Sequence, residues 1–188
     1  MVICLAFIVS SVFAQDLNTR GYIGIMLGPS FPYGSFASSG NYYDGYATTG
    51  MNINLLTFGY KVWKNFGISG SWFGIANPID HYGTDGMWGV GAMMAGPFFS
   101  IPLGEKTKLD IRAMFGYVLE TRKTDSHETV AANGDGYQFG IMLRQNIARR
   151  WSILLSLENL NTQLDIQPDK DPKVTLLNFS FGIARLLK

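Results

Sequence analysis

The stretch KLDIRAMFGYVLE, Lys108 to Glu120, alternates with a period of two. Leu109, Ile111, Ala113, Phe115, Tyr117 and Leu119 fall on one side; Asp110, Arg112, Met114, Gly116, Val118 and Glu120 fall on the other. Successive side chains of an extended chain point to opposite faces, so this pattern makes a β-strand with two unlike faces. In a water-soluble barrel the charged face would look outward. In a membrane barrel it would look inward, and the apolar face would meet lipid.

Similar segments recur along the chain. Strands are predicted over Gly21–Ser30, Gly50–Trp63, Phe66–Ala76, about Met87–Ile101, Lys108–Glu120, Tyr137–Ile147, Trp151–Leu160 and Val174–Leu187. The uncharged run GMWGVGAMMAGPFFSIPL, Gly86 to Leu103, is read as a strand and not a membrane helix. Four glycines and two prolines lie in it, and both residue types disfavour a helix interior. No second domain, linker or solenoid repeat is visible in the 188 residues. The 22 glycines and the 14% aromatic content suit short strands and tight turns.

The connections alternate in length. Long ones are expected at Phe31–Thr49, Asn77–Gly86, Thr121–Gly136 and Asn161–Lys173. Tight ones are expected at Lys64-Asn65, Pro102–Lys106 and Ala148–Arg150. In an up-and-down meander this puts every long loop at one end, as in outer-membrane barrels. Charges divide the same way. Lys61, Lys64, Lys106, Lys108, Arg149, Arg150, Arg185 and Lys188 gather at the turn end. Asp44, Asp80, Asp85, Asp125, Glu128, Asp135, Asp165, Asp169 and Asp171 gather at the loop end, where Arg122, Lys123, Lys170 and Lys173 soften the contrast. Solvation of two wet ends accounts for this.

The facing question is decided by bulk. Tyr137, Phe139, Ile141 and Leu143 oppose Gln138, Gly140, Met142 and Arg144; Leu177, Phe179, Phe181 and Ile183 oppose Asn178, Ser180, Gly182 and Ala184. Eight strands enclose a narrow interior that side chains just fill. The large apolar set is therefore assigned to lipid, and the slim and polar set to the lumen, with Asn52 and Asn54 also pointing to a polar interior. Asp110, Arg112 and Arg144 are candidates for one lumen network, because buried charges need partners. Glu120 and Glu158 lie nearer the loop end, in the lumen or in interfacial water. Strand one should pair with strand eight, since a bilayer tolerates no open sheet edge.

The opening MVICLAFIVSSVFAQ is uncharged from Met1 to Ala14 and ends in a small-residue pattern. It reads as a signal peptide over 1–14, followed by a barrel domain over 15–188. It is too short to span a bilayer, which takes about 20 helical residues. Cys4 lies within it, so the exported chain would have no cysteine.

With GYIGIMLG as first strand, FGYKVWKNFGISGSWFG as a strand-turn-strand and LLNFSFGIARLL at the end, the chain resembles the small eight-stranded outer-membrane β-barrels of Gram-negative bacteria, OmpA/OmpX-like in architecture. The resemblance covers essentially the whole exported chain. It implies an all-β, eight-stranded antiparallel up-and-down transmembrane barrel in the cell outer membrane, with long loops extracellular and both termini periplasmic. It also implies contact with outer-membrane lipid and lipopolysaccharide, and with the barrel-assembly machinery. One departure is the ending Leu187-Lys188, where the family commonly has an aromatic residue.

A filled lumen argues against a diffusion pore. Function is then expected in the envelope itself or in the loops. The first loop holds Tyr42, Tyr43 and Tyr46 among Gly and Ser, a composition suited to binding an as yet unknown surface ligand. Tyr33 and Phe36 are expected in an aromatic girdle at the lipid headgroups. Two rival classes are weighed. A lipid A-modifying enzyme would draw on Asp125-Ser126-His127-Glu128, or on Asp80 with His81. Neighbours on an extended chain point opposite ways, however, and solvated loop residues explain both groups. A lipocalin-like carrier would need the opposite face assignment. No metal-ligand spacing, phosphate loop or nucleotide motif occurs, so no cofactor is expected. A net charge of +1 leaves no footprint for nucleic acid.

Overall fold

The structure, a computed structural model, describes residues 19–37, 39, 45–81, 84–124, 127–164 and 173–188; of residues 81, 84, 85, 124, 127–131, 163 and 164 only the backbone is described. Eight strands follow one another: β1 (Gly21–Pro32), β2 (Gly50–Trp63), β3 (Phe66–His81), β4 (Thr84–Pro102), β5 (Thr107–Thr124), β6 (His127–Ala148), β7 (Trp151–Leu164) and β8 (Thr175–Leu187). Each pairs antiparallel with its neighbour in sequence, and β1 pairs with β8 from Gly21↔Leu187 to Pro32↔Leu176. The sheet is therefore a closed up-and-down barrel with no free edge.

The faces divide as the bulk of the side chains requires. On β5, Ile111, Phe115, Tyr117 and Leu119 are exposed on the outside, Phe115 by 72%, whereas Asp110, Arg112, Val118 and Glu120 are buried within. Phe139, Leu155 and Phe181 likewise lie outside. Exposed Ile, Leu, Phe and Trp encircle the barrel, a surface far too apolar for water and suited to hydrocarbon.

Two expectations from the sequence need correction. The loops expected at Asn77–Gly86 and Thr121–Gly136 are mostly ladder. β3 and β4 stay paired to His81↔Thr84, and β5 and β6 to Thr124↔His127. The polar residues there conceal a continued alternation: Ala132, Gly134 and Gly136 are buried while Asn133 and Asp135 are exposed. Such a ladder can extend beyond the lipid into water, where outward polar groups cost nothing. A β-bulge interrupts β2. Gly24 pairs with Thr57 but Met26 with Asn54, so β2 carries one extra residue at Leu55-Leu56. Inward positions are even before it (Asn52, Asn54) and odd after it (Thr57, Gly59).

The lumen has two storeys. Towards the loop end it is apolar: Phe73, Ile75, Ile79, Trp88, Val90, Met94, Val118, Leu160, Val174 and Leu176 form one cluster with Phe36 and Ala47. Towards the turn end the charged Asp110, Arg112, Arg144 and Glu158 lie beside a smaller apolar cluster of Tyr22, Met26, Met142, Leu154, Ala184 and Leu186. The first connection enters the barrel mouth at a 3-10 turn, Gly34–Phe36, where Gly34 takes a positive φ of 63°. Phe36 is fully buried and its ring lies 5.5 Å from that of Trp88, whose indole N–H donates to the Gly45 carbonyl at 2.7 Å. Phe36 is thus not a girdle residue. The first connection supplies a ring to the apolar cluster inside the barrel mouth. Tyr33 does remain exposed, at the rim.

Candidate functional site

The charged lumen is built row by row across the wall. Arg112 on β5 stands opposite Gly140 on β6, and Gly140 stands opposite Glu158 on β7. All three positions face inward. Because Gly140 has no side chain, Glu158 folds across it; a Cβ there would lie 2.6 Å from the Glu158 Cγ. Arg112 Nη1 then reaches Glu158 Oε1 at 3.1 Å, with both side chains almost wholly buried. Gln138 donates to the other Glu158 oxygen at 3.0 Å. Arg112 also donates to the Thr57 hydroxyl at 3.4 Å and to the Met114 sulfur at 3.2 Å.

One storey nearer the turns, Arg144 Nη2 meets Asp110 Oδ2 at 3.2 Å, and its Nε donates to the same carboxylate at 3.3 Å. The Arg144 guanidinium stacks 4.7 Å above the Tyr22 ring. Tyr22 lies across the lumen: it also meets Phe98 edge-on at 6.5 Å and rests against Gly59, where a Cβ would lie 2.5 Å from the ring. Its neighbours therefore come from β2, β4 and β6.

Of the five charged residues singled out in the sequence, four form these two ion pairs. The partner of Arg112 is Glu158, a loop-end residue by sequence, and not Asp110. The strand tilt of a closed barrel staggers neighbouring rows, which a linear reading cannot see. Glu120 is also buried, on the inward face of β5 two positions beyond Val118. Asn52 and Asn54 face inward as well: Asn52 donates to the Gly28 and Pro29 carbonyls, and Ser180 donates to Asn52. The sequence reading missed Tyr22, Thr57 and Trp88. For Tyr22 the available signal was the alternation of Ile23, Ile25 and Leu27 with Tyr22, Gly24 and Met26 on β1.

Tyr42 and Tyr43 lie outside the described residues. Tyr46 is half-buried, adopts a positive φ of 52°, and packs against the apolar storey. Asp125 and Ser126 also lie outside the described residues, and the side chains of His81, His127 and Glu128 are not described. No group of three or more metal-ligating side chains occurs among the described residues. A furrow on the outside, walled by Phe66, Pro97, Phe99, Phe139, Leu157 and Leu177, is apolar and belongs to the lipid-facing surface.

No protein-family model matches the chain, and no curated protein matches it in sequence. Solved structures do match. Ail, the attachment invasion locus protein of Yersinia pestis, aligns with a TM-score of 0.55 at 21% identity, over 89% of this chain and 99% of Ail. Ail has also been solved in complex with the heparin analogue sucrose octasulfate; that structure aligns at a TM-score of 0.54 and 19% identity, over 89% of this chain and 99% of Ail. Neisserial surface protein A aligns with a TM-score of 0.64 at 9% identity, over 88% of this chain and 96% of that one. At these identities the likeness is one of fold: the eight-stranded barrel of small outer-membrane proteins.

Proposed function

We propose that the chain is an integral outer-membrane barrel with a filled lumen, which serves the cohesion of the envelope and displays its loop end at the cell surface. The observation that carries this reading is the inversion of the faces. Two ion pairs lie sealed inside while a girdle of Ile, Leu, Phe and Trp is exposed outside. A lipocalin-like carrier would require the reverse. A pore is disfavoured because the apolar storey crosses the lumen above the ion pairs.

On this reading the tight turns and both termini are periplasmic, the first loop is extracellular, and the partners are phospholipid, lipopolysaccharide and the barrel-assembly machinery. The leader over 1–14 would direct export. The fold of Ail and of Neisserial surface protein A supports the location. Fractionation is the test. The protein should sediment with outer membranes, migrate faster on unboiled than on boiled gels, and be cut from outside the cell in its loop-end connections and not in its tight turns. Recovery in the soluble periplasm would overturn the proposal.

Surface binding is the finer part of this reading, carried by Tyr42 and Tyr43 with Tyr46 anchoring the loop. Ail takes a heparin analogue. The ligand class for this chain is left open by its loop-end residues, which carry both signs of charge. Replacing Tyr42 and Tyr43 by Ser should reduce adhesion of whole cells while the gel shift is retained. No catalytic role is assigned: lipid A should be unchanged in composition when the gene is deleted.

A further inference from the structure

The turn-end mouth of the lumen carries an excess of positive charge that neither the fold nor the proposed function uses. Lys61 and Lys108 lie at inward positions of β2 and β5, half-buried and near enough for each ammonium to oppose the other's charge. Lys108 also stands directly opposite Arg144 in the β5–β6 register. Like charges directly opposite one another destabilise a sheet, and an ammonium cannot accept a hydrogen bond from another ammonium. On an open surface the two lysines would swing apart into water. Here both stems rise from the inner wall of the lumen, on β2 and β5. Asp110 is the carboxylate among these groups, and it is engaged by Arg144 in two hydrogen bonds. Glu105 is exposed on the turn between β4 and β5.

Two hydroxyls complete the picture. Ser100 faces inward on β4, opposite Asp110 in register, fully buried and without a hydrogen-bond partner. The Tyr22 hydroxyl is also buried without one, and rests at Gly59, the inward position of β2 next to Lys61. Buried hydroxyls ordinarily find a partner. A group with several acceptor oxygens would satisfy both hydroxyls and relieve the repulsion between the lysines.

We propose that the turn-end mouth of the lumen binds a small oxyanion, phosphate-like in chemistry, between Lys61 and Lys108, with the Ser100 and Tyr22 hydroxyls and the charge of Arg144 behind them. The oxyanion comes either free from the aqueous phase or as the phosphate of a lipid headgroup reaching in at the rim.

The test uses the full barrel refolded in nanodiscs of phosphatidylcholine, titrated with inorganic phosphate against chloride at constant ionic strength and followed by amide shifts. Saturable shifts on β2, β4 and β5 are expected. They should weaken at least tenfold in Lys61→Gln/Lys108→Gln and remain unchanged in the outward control Arg149→Gln/Arg150→Gln. The gel shift on boiling verifies that each variant is folded, and the two single lysine variants serve if the double variant is not. Repeating the titration with phosphatidylglycerol in the nanodisc separates the sources. Displacement of phosphate identifies a headgroup as occupant, and unchanged binding identifies a free anion; both support the site. Phosphate shifts no larger than those with chloride, or equal weakening in the control, would overturn it and leave ordered water as the partner of the two hydroxyls.

Discussion

Arg112 has almost no contact with water and is held by a carboxylate, a hydroxyl and two sulfurs. A buried ion pair adds little net stability over a well-packed apolar pair, but removing one partner leaves an uncompensated charge at a cost of about 3–5 kcal/mol. Arg112→Met alone should therefore lower the unfolding free energy of the bilayer-embedded barrel, measured by urea titration, by that order, and Arg112→Met/Glu158→Leu should recover most of the loss. The geometry depends equally on a missing side chain. Gly140→Ala places a methyl group against Glu158 and the Leu157 carbonyl, so it should cost about 1–3 kcal/mol in the same assay, typical of overpacking.

At the scale of the strand, facing is everything, because a shift of one residue turns every side chain to the other side. β2 already contains such a shift and corrects it with the bulge at Leu55-Leu56. Deleting Leu55 should thus straighten β2 with every other residue still facing as before, and the gel shift should persist. Inserting one alanine after Leu155 in β7 should abolish it, since Ser156 and Glu158 would then face lipid. Leu155→Arg, on the outer face, should lower stability by about 2–4 kcal/mol if it lies near mid-membrane. This explains what could be read in advance. On β5 to β8 bulk and polarity separate cleanly by parity, so facing was legible from the sequence. On β3 and β4 the inward face itself turns apolar, with Phe73, Ile75, Trp88 and Val90, and the outward face carries Gly74, Gly89 and Gly91. Parity there has no contrast to read. The bulge was legible in principle, as Met51, Ile53 and Leu55 give way to Leu56, Phe58 and Tyr60. The Arg112–Glu158 pairing was not, because it depends on the stagger between three strands.

For the molecule as a whole, the two storeys make the interior a solid core. Planar bilayers containing the protein should show no steady ion conductance; regular open-channel currents would mean that the apolar storey around Phe36 and Trp88 parts on a millisecond scale.

The seam between β1 and β8 is fastened at both extremities. The Arg20 amide donates to the Leu187 carbonyl at the turn end, and the Tyr33 amide donates to the Thr175 carbonyl at the rim, where Asn159 of β7 reaches the Tyr33 hydroxyl. Those residues are separated by nearly the whole polypeptide. A ribosome therefore releases a ribbon whose two margins have yet to meet, and the hoop can be drawn shut only after the final strand has been delivered.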